Sequence, residues 1–221
     1  QDEYLELRNI TGANVSLFDP AAPTNTWQLT SGVDFVFPQN IVLPAGQALL
    51  VVSFAPQLDP VALAEFRSRY SVSNSVSIFG PYNGHLSNNG ESLGLYKPDA
   101  PLQSPSLDAG FVPAVLVEQV SYLPSTPWPT GADGTSSSLQ RLVGAGYGND
   151  PTNWFVAAPT AGQSNTNNPG DLNGDGLPDA WQLQYFSSIN DPQAAPGTDP
   201  DGDGFSNLQE YEAGTSPVNS A

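Results

Sequence analysis

Three aspartates stand at alternate positions in the run DPDGDGFSNLQEYEAG, residues 199–214, and no lysine or arginine follows Arg141 to offset them. Carboxylates at this spacing can converge on one hard cation. A loop of the EF-hand type presents oxygens from positions 1, 3, 5, 7, 9 and 12, the seventh through its backbone carbonyl, and needs glycine at position 6 for a sharp turn. Asp199, Asp201, Asp203, Phe205 (carbonyl), Asn207 and Glu210 fill those positions, with Gly204 at the turn. The run DLNGDGLPDAWQ, residues 171–182, repeats the pattern with Asp171, Asn173, Asp175, Leu177 (carbonyl), Asp179 and Gln182, and with Gly176 at the turn. Oxygen donors without histidine or cysteine select calcium, and magnesium less well, over zinc or copper. Two calcium sites are therefore expected. The second is the stronger, because Gln182 cannot supply the bidentate carboxylate that Glu210 offers; the first binds weakly or borrows an acid such as Asp191. A lone DxD reads as a solvated turn, but two twelve-residue matches in tandem, each with its glycine in place, read as ligand sets.

The elements that must position these residues are short. Each loop runs into a helical stretch, PDAWQLQYFSS (178–188) and SNLQEYEAG (206–214), whereas proline and asparagine dominate the segments before them, NTNNPG and NDPQAAPGT. The unit is thus a loop followed by a helix rather than a helix–loop–helix EF-hand. The runs NGDGLPDAWQ and DPDGDGFSNLQEYEAGTSP resemble the dockerin-like and thrombospondin type 3-like calcium repeats that end many secreted bacterial proteins. Trp181, Phe186, Leu208 and Tyr211 bury little by themselves, so a tail of this size is expected to depend on its metal.

Upstream, short apolar or β-branched runs alternate with glycine, proline and asparagine, the pattern of an all-β sandwich. The spacing predicts strands over 3–9, 26–30, 34–38, 40–44, 47–53, 91–98, 116–123 and 138–142. In EYLELRN, Tyr4, Glu6 and Arg8 take one face and Leu5 and Leu7 the other. The segment LDPVALAEFRSRY (58–70) breaks the pattern: Asp59 is placed to cap a helix and Pro60 to begin it. Val61, Leu63, Ala64, Phe66 and Tyr70 recur near helical spacing behind them. One surface helix is therefore expected between strands. The stretches DEYLELRN, TWQLTSGVDFVFPQNIVLPAGQALLVV, GHLSNNGESLGLYKPD, VEQVSYLPSTPWPTGADGTSSSLQRL and YGNDPTNWFVAAPTAG resemble the lamin-tail domain. That resemblance implies an immunoglobulin-like β-sandwich over 1–162, a linker over 163–170 and a tail of tandem calcium loops over 171–221. The family carries a strand before the EYLEL segment, where this chain has only Gln1 and Asp2. Such a strand is expected either to have been lost or to come from elsewhere, leaving a sheet edge open to a protein partner or a second copy.

Composition narrows the function. The formal net charge of -17, of which residues 171–212 carry -9, argues against nucleic acid and against insertion into anionic membranes. No apolar run approaches the ~18 residues of a membrane span. Without cysteine the redox compartment is not readable from pairing, but a chain with 22 prolines, 21 glycines, many serines, threonines and asparagines and only five basic residues reads as extracellular, secreted or on a cell surface. No signal peptide is visible, so the natural protein is expected to begin upstream. Catalytic groups are sparse: His85, the single histidine, sits in a turn, and Asp133 lies in a glycine-rich one. The chain reads as no enzyme. Trp128, in STPWPTG, and Tyr82, in GPYNG, either pin their loops or stack on sugar rings. Sequons begin at Asn9 and Asn14. Two functions follow: a non-catalytic calcium-binding structural or adhesion module, or a carbohydrate-binding module appended to a secreted polysaccharide-degrading enzyme, with polysaccharide as partner.

Overall fold

The computed structural model describes residues 3–134, 136–142, 146–163, 165, 170, 171, 173 and 175–220. Its strands are β1 (Tyr4–Arg8), β2 (Val15–Ser16), β3 (Phe18–Asp19), β4 (Ala22–Thr26), β5 (Gln28–Thr30), β6 (Val33–Val36), β7 (Val42–Leu43), β8 (Ala48–Val52), β9 (Ser77–Phe79), β10 (Asn83–Gly84), β11 (Glu91–Pro98), β12 (Ala114–Tyr122), β13 (Ser138–Arg141) and β14 (Trp154–Ala157). The α-helices are α1 (Pro60–Tyr70), α2 (Asp179–Tyr185) and α3 (Asn207–Ala213). The fold is β-rich, with little helix. Gln1, Asp2 and most of the expected linker (164 and 166–169) lie outside the described residues.

β8 organises the larger part of the chain. Its residues Leu49, Leu50, Val51 and Val52 are all buried, although only alternate side chains of a strand face one way. Both faces of this strand are therefore covered, as its unbroken apolar run requires. On one face Leu49 and Val51 join Leu5 and Leu7 of β1, Leu29 of β5, Val33 of β6 and Leu93 and Leu95 of β11. On the other, Leu50 and Val52 pack with Tyr4, Phe66 and Ala161. β8 lies between β1, antiparallel to it in the register Tyr4↔Val52 to Arg8↔Ala48, and β9, parallel to it. A parallel pair cannot be joined by a tight turn, and the connection here runs through α1. The second large sheet has the order β10-β6-β5-β11-β12, and β2 with β7, β3 with β4 and β13 with β14 form two-stranded ladders.

α1 starts as its sequence dictates: the Asp59 carboxylate accepts from the Ala62 N–H at 2.9 Å, and Pro60 occupies the first turn. The helix turns one side chain fully inward, Phe66, which meets Tyr4 at 5.7 Å, Phe54 at 5.8 Å and Tyr70 at 4.9 Å between ring centroids. Val61, expected on the apolar face, is solvent-exposed instead. At the helix end, Arg67 donates to the carbonyls of Ser73, at 2.5 Å, and Val76, at 3.0 Å, and so holds the return to β9.

The end of the β region folds back on β1. Ala161 is sealed beneath α1, the Gly162 N–H donates to Glu6 Oε2 at 2.8 Å, and Arg8 donates to the Gln163 carbonyl at 2.6 Å. Asn9, the acceptor of the first sequon, is itself buried, its amide donating to the carbonyls of Ala13 and Leu43. That closes the site to glycan transfer in the folded chain.

Two predictions follow from this packing. Phe66→Ala should cost about 3–5 kcal/mol, measured by denaturant unfolding, because α1 has no other fully buried anchor. Burial lifts the Glu6 carboxyl above its ordinary pKa of 4.5, against the opposing pull of the Gly162 amide and Arg8. The folded state therefore holds that proton more tightly, so this group's contribution to stability falls as pH rises from 4.5 through the folded pKa. Glu6→Gln should remove that decline. The readout is the difference in melting temperature between wild type and variant from about pH 4 to about pH 8, and a difference that never changes with pH would refute the assignment.

Candidate metal centre

The second loop gathers its carboxylates by bonding them to its own backbone. Asp199 accepts from the Gly202 N–H at 2.8 Å and the Gly204 N–H at 2.9 Å, Asp201 from the Asp203 N–H at 3.2 Å, and Asp203 from the Phe205 N–H at 2.9 Å. Gly204 has φ +96°, a left-handed conformation that glycine adopts without strain, as the sixth position of the loop demands. One carboxylate oxygen from each of Asp199, Asp201 and Asp203 then lies within 4.8 Å of the others. This group can hold a metal ion.

α3 brings the remaining residues. A reciprocal capping box between Ser206 and Gln209 starts the helix, and its first turns present Asn207 and Glu210, both buried. Asn207 Nδ2 donates to the carbonyls of Gln193, at 2.7 Å, and Ala195, at 2.8 Å; carbonyls only accept, so they fix which end of the amide faces them. Asn207 Oδ1 is left shielded from solvent with no hydrogen-bond partner, and so are Asp201 Oδ2 and Glu210 Oε2. Burial raises the Glu210 pKa, the fields of Asp201 and Asp203 and then Asp199 raise it further, and the Thr215 hydroxyl opposes them. Unsatisfied buried oxygens beside three carboxylates fit a hard cation with a high oxygen coordination number. Phe205, expected to contribute only its carbonyl, leaves its ring exposed.

The described residues of the first loop repeat part of this bonding and the glycine turn. Asp171 accepts from the N–H groups of Asp175, at 3.2 Å, and Gly176, at 3.1 Å, Asp175 accepts from the Leu177 N–H at 2.9 Å, and Gly176 shares φ +96° with Gly204. Leu177 is buried, and Asp179 opens α2, its N–H donating to the Gly170 carbonyl at 2.6 Å. Gln182, at the closing position, is fully buried and donates to Asp175 Oδ2 at 2.7 Å. The Asp191 oxygens accept from the Gln193 N–H, at 2.9 Å, and the Ser187 hydroxyl, at 3.1 Å, and cap a short turn. The two units meet through rings, with Trp181 of α2 5.7 Å from Tyr211 of α3.

Sequence reasoning missed Thr198 and Thr215. Thr198 accepts from Asn207 Nδ2 at 2.7 Å, and the Thr215 hydroxyl lies 3.4 Å from Glu210 Oε1. A signal was present, since both belong to a repeated Gly-Thr-x-Pro, GTDP at 197–200 and GTSP at 214–217.

The two candidate sugar platforms are corrected by burial. Tyr82 is 4% exposed, with its hydroxyl on Glu3 at 3.2 Å, and Trp128 is 5% exposed, packed 6.0 Å from Trp154. A ring enclosed by its own fold has no free face on which a sugar could stack. His85 and Asp133 are both exposed and lie outside helix and strand. Trp128→Ala is accordingly expected to cost about 3–5 kcal/mol of stability in denaturant unfolding, as for a core aromatic. An unchanged stability would return the ring to the surface.

No protein-family model matches the chain, and neither a curated protein nor a solved structure shows significant similarity to it.

Proposed function

We propose that the chain is a non-catalytic, calcium-binding module of a secreted or cell-surface protein. In this reading an immunoglobulin-like, lamin-tail-like sandwich serves assembly or adhesion, and a calcium-stiffened tail follows it. The observation that carries the calcium assignment is the set of shielded, unpartnered oxygens on Asp201, Asn207 and Glu210 beside the clustered carboxylates of Asp199 and Asp203. Every donor is a hard oxygen, which favours calcium over zinc or copper. Millimolar extracellular calcium would fill even a weak loop of this type, in keeping with the extracellular character of the composition. The assembly half of the reading draws on sheet order: β1 and β12 are both terminal strands, and a terminal strand can accept a partner or a second copy by edge pairing. The burial of Trp128 and Tyr82 leaves the carbohydrate-binding alternative without its platforms.

Isothermal titration calorimetry is expected to detect calcium binding at or below millimolar concentration, and Asp203→Ala combined with Glu210→Ala to abolish it at the second loop. Calcium at one hundred times its dissociation constant should stabilise the tail by about 2.7 kcal/mol, so EDTA should lower its melting temperature and open it to protease. No heat of binding at millimolar calcium would overturn the assignment. A strict monomer in size-exclusion chromatography at all accessible concentrations would remove self-assembly.

A further inference from the structure

We infer that Gln182 takes the place of an ion in the first loop, so that the chain binds one divalent cation and the first loop–helix unit folds without any. The inference rests on the calcium reading of the second loop and adds what distinguishes the two.

Gln182 and Glu210 occupy the same closing position of loops that turn at a glycine of the same φ, +96°, and both are buried. Their surroundings differ at the carboxylate they face. Asp175 Oδ2, at the fifth position of the first loop, accepts from Gln182 Nε2 at 2.7 Å and from Asn173 Nδ2 at 3.0 Å. The orientation of both amides is fixed from outside the loop, because Gln182 Nε2 also donates to the Ala194 carbonyl at 3.1 Å and Asn173 Nδ2 to the Ile189 carbonyl at 2.5 Å. A carbonyl cannot donate, so the amide nitrogens must stay turned toward these acceptors. The amide hydrogens thereby supply at Asp175 the positive partner that an ion supplies to a ring of oxygens. They also point N–H groups where a cation would need lone pairs. Among the described residues, the shielded and unpartnered side-chain oxygens belong to Asp201, Asn207 and Glu210, none of them in the first loop.

Calorimetric titration of the full chain with calcium chloride counts the sites. The wild type is expected to bind one ion and Glu210→Gln none, while Gln182→Glu, which removes the N–H and adds a carboxylate, should bind two. A wild type that binds two ions, or a Glu210→Gln variant that keeps one, overturns the inference. A wild type that binds none defeats the calcium reading instead, and a Gln182→Glu variant that gains an ion would still support the role of Gln182. Hydrogen exchange gives a readout independent of any variant's folding. On EDTA treatment the amides of Gly202, Gly204 and Phe205 should lose protection, whereas those of Asp175, Gly176 and Leu177 should keep theirs. Equal loss in both loops would overturn the inference.

Discussion

An oxygen shielded from water with nothing to bond to is costly, and the tail concentrates that cost in the second loop. Backbone N–H groups bend the chain around Asp199, Asp201 and Asp203, but they satisfy only part of each carboxylate. α3 then inserts Glu210 into the same space, where burial and three like charges push its proton affinity upward. Protonation would relieve the charge at Glu210, and a cation would relieve it at every ligand at once. The segments around the loop serve to hold that arrangement: Thr198 and the carbonyls of Gln193 and Ala195 grip Asn207 by its nitrogen end, and Thr215 closes behind Glu210. The tail is thus built to keep oxygens close together, and its stability should follow whatever neutralises them.

The β region solves a more familiar problem. β8 is apolar on both faces, so it needs cover on two sides, and α1 with the 158–163 segment supplies the second cover while the five-stranded sheet supplies the first. The crossover through α1 follows from the same demand, since a parallel neighbour for β8 requires a connection long enough to pass over the sheet.

What the sequence made legible was local. The alternation in β1, the apolar run of β8, the Asp59–Pro60 start of α1 and the loop glycines all carry their conformation within a few residues. What escaped it depended on distant partners. β9 and β14 are only three and four residues long, and the two-residue ladders have no periodicity to read. Tyr82 and Trp128 sit in proline- and glycine-flanked stretches that look like surface loops, yet each is buried and meets a residue well removed in sequence, Tyr82 through a hydrogen bond to Glu3 and Trp128 through a ring contact with Trp154. For the tail, the type of residue at position 182 was readable, but the Ala194 carbonyl that fixes the direction of its amide was not.

The attachment of residues 161–163 to β1 bears on how the chain would respond to tension. A pull on the tail reaches the β region at Asn165, whose amide donates to the Arg141 carbonyl at 2.7 Å, and then at Gly162 and Gln163, which are gripped by the side chains of Glu6 and Arg8 and seated by Ala161 in the apolar cluster under α1. Part of that force is thus passed to a strand that shares an unbroken five-residue ladder with β8, which lies in the middle of its sheet.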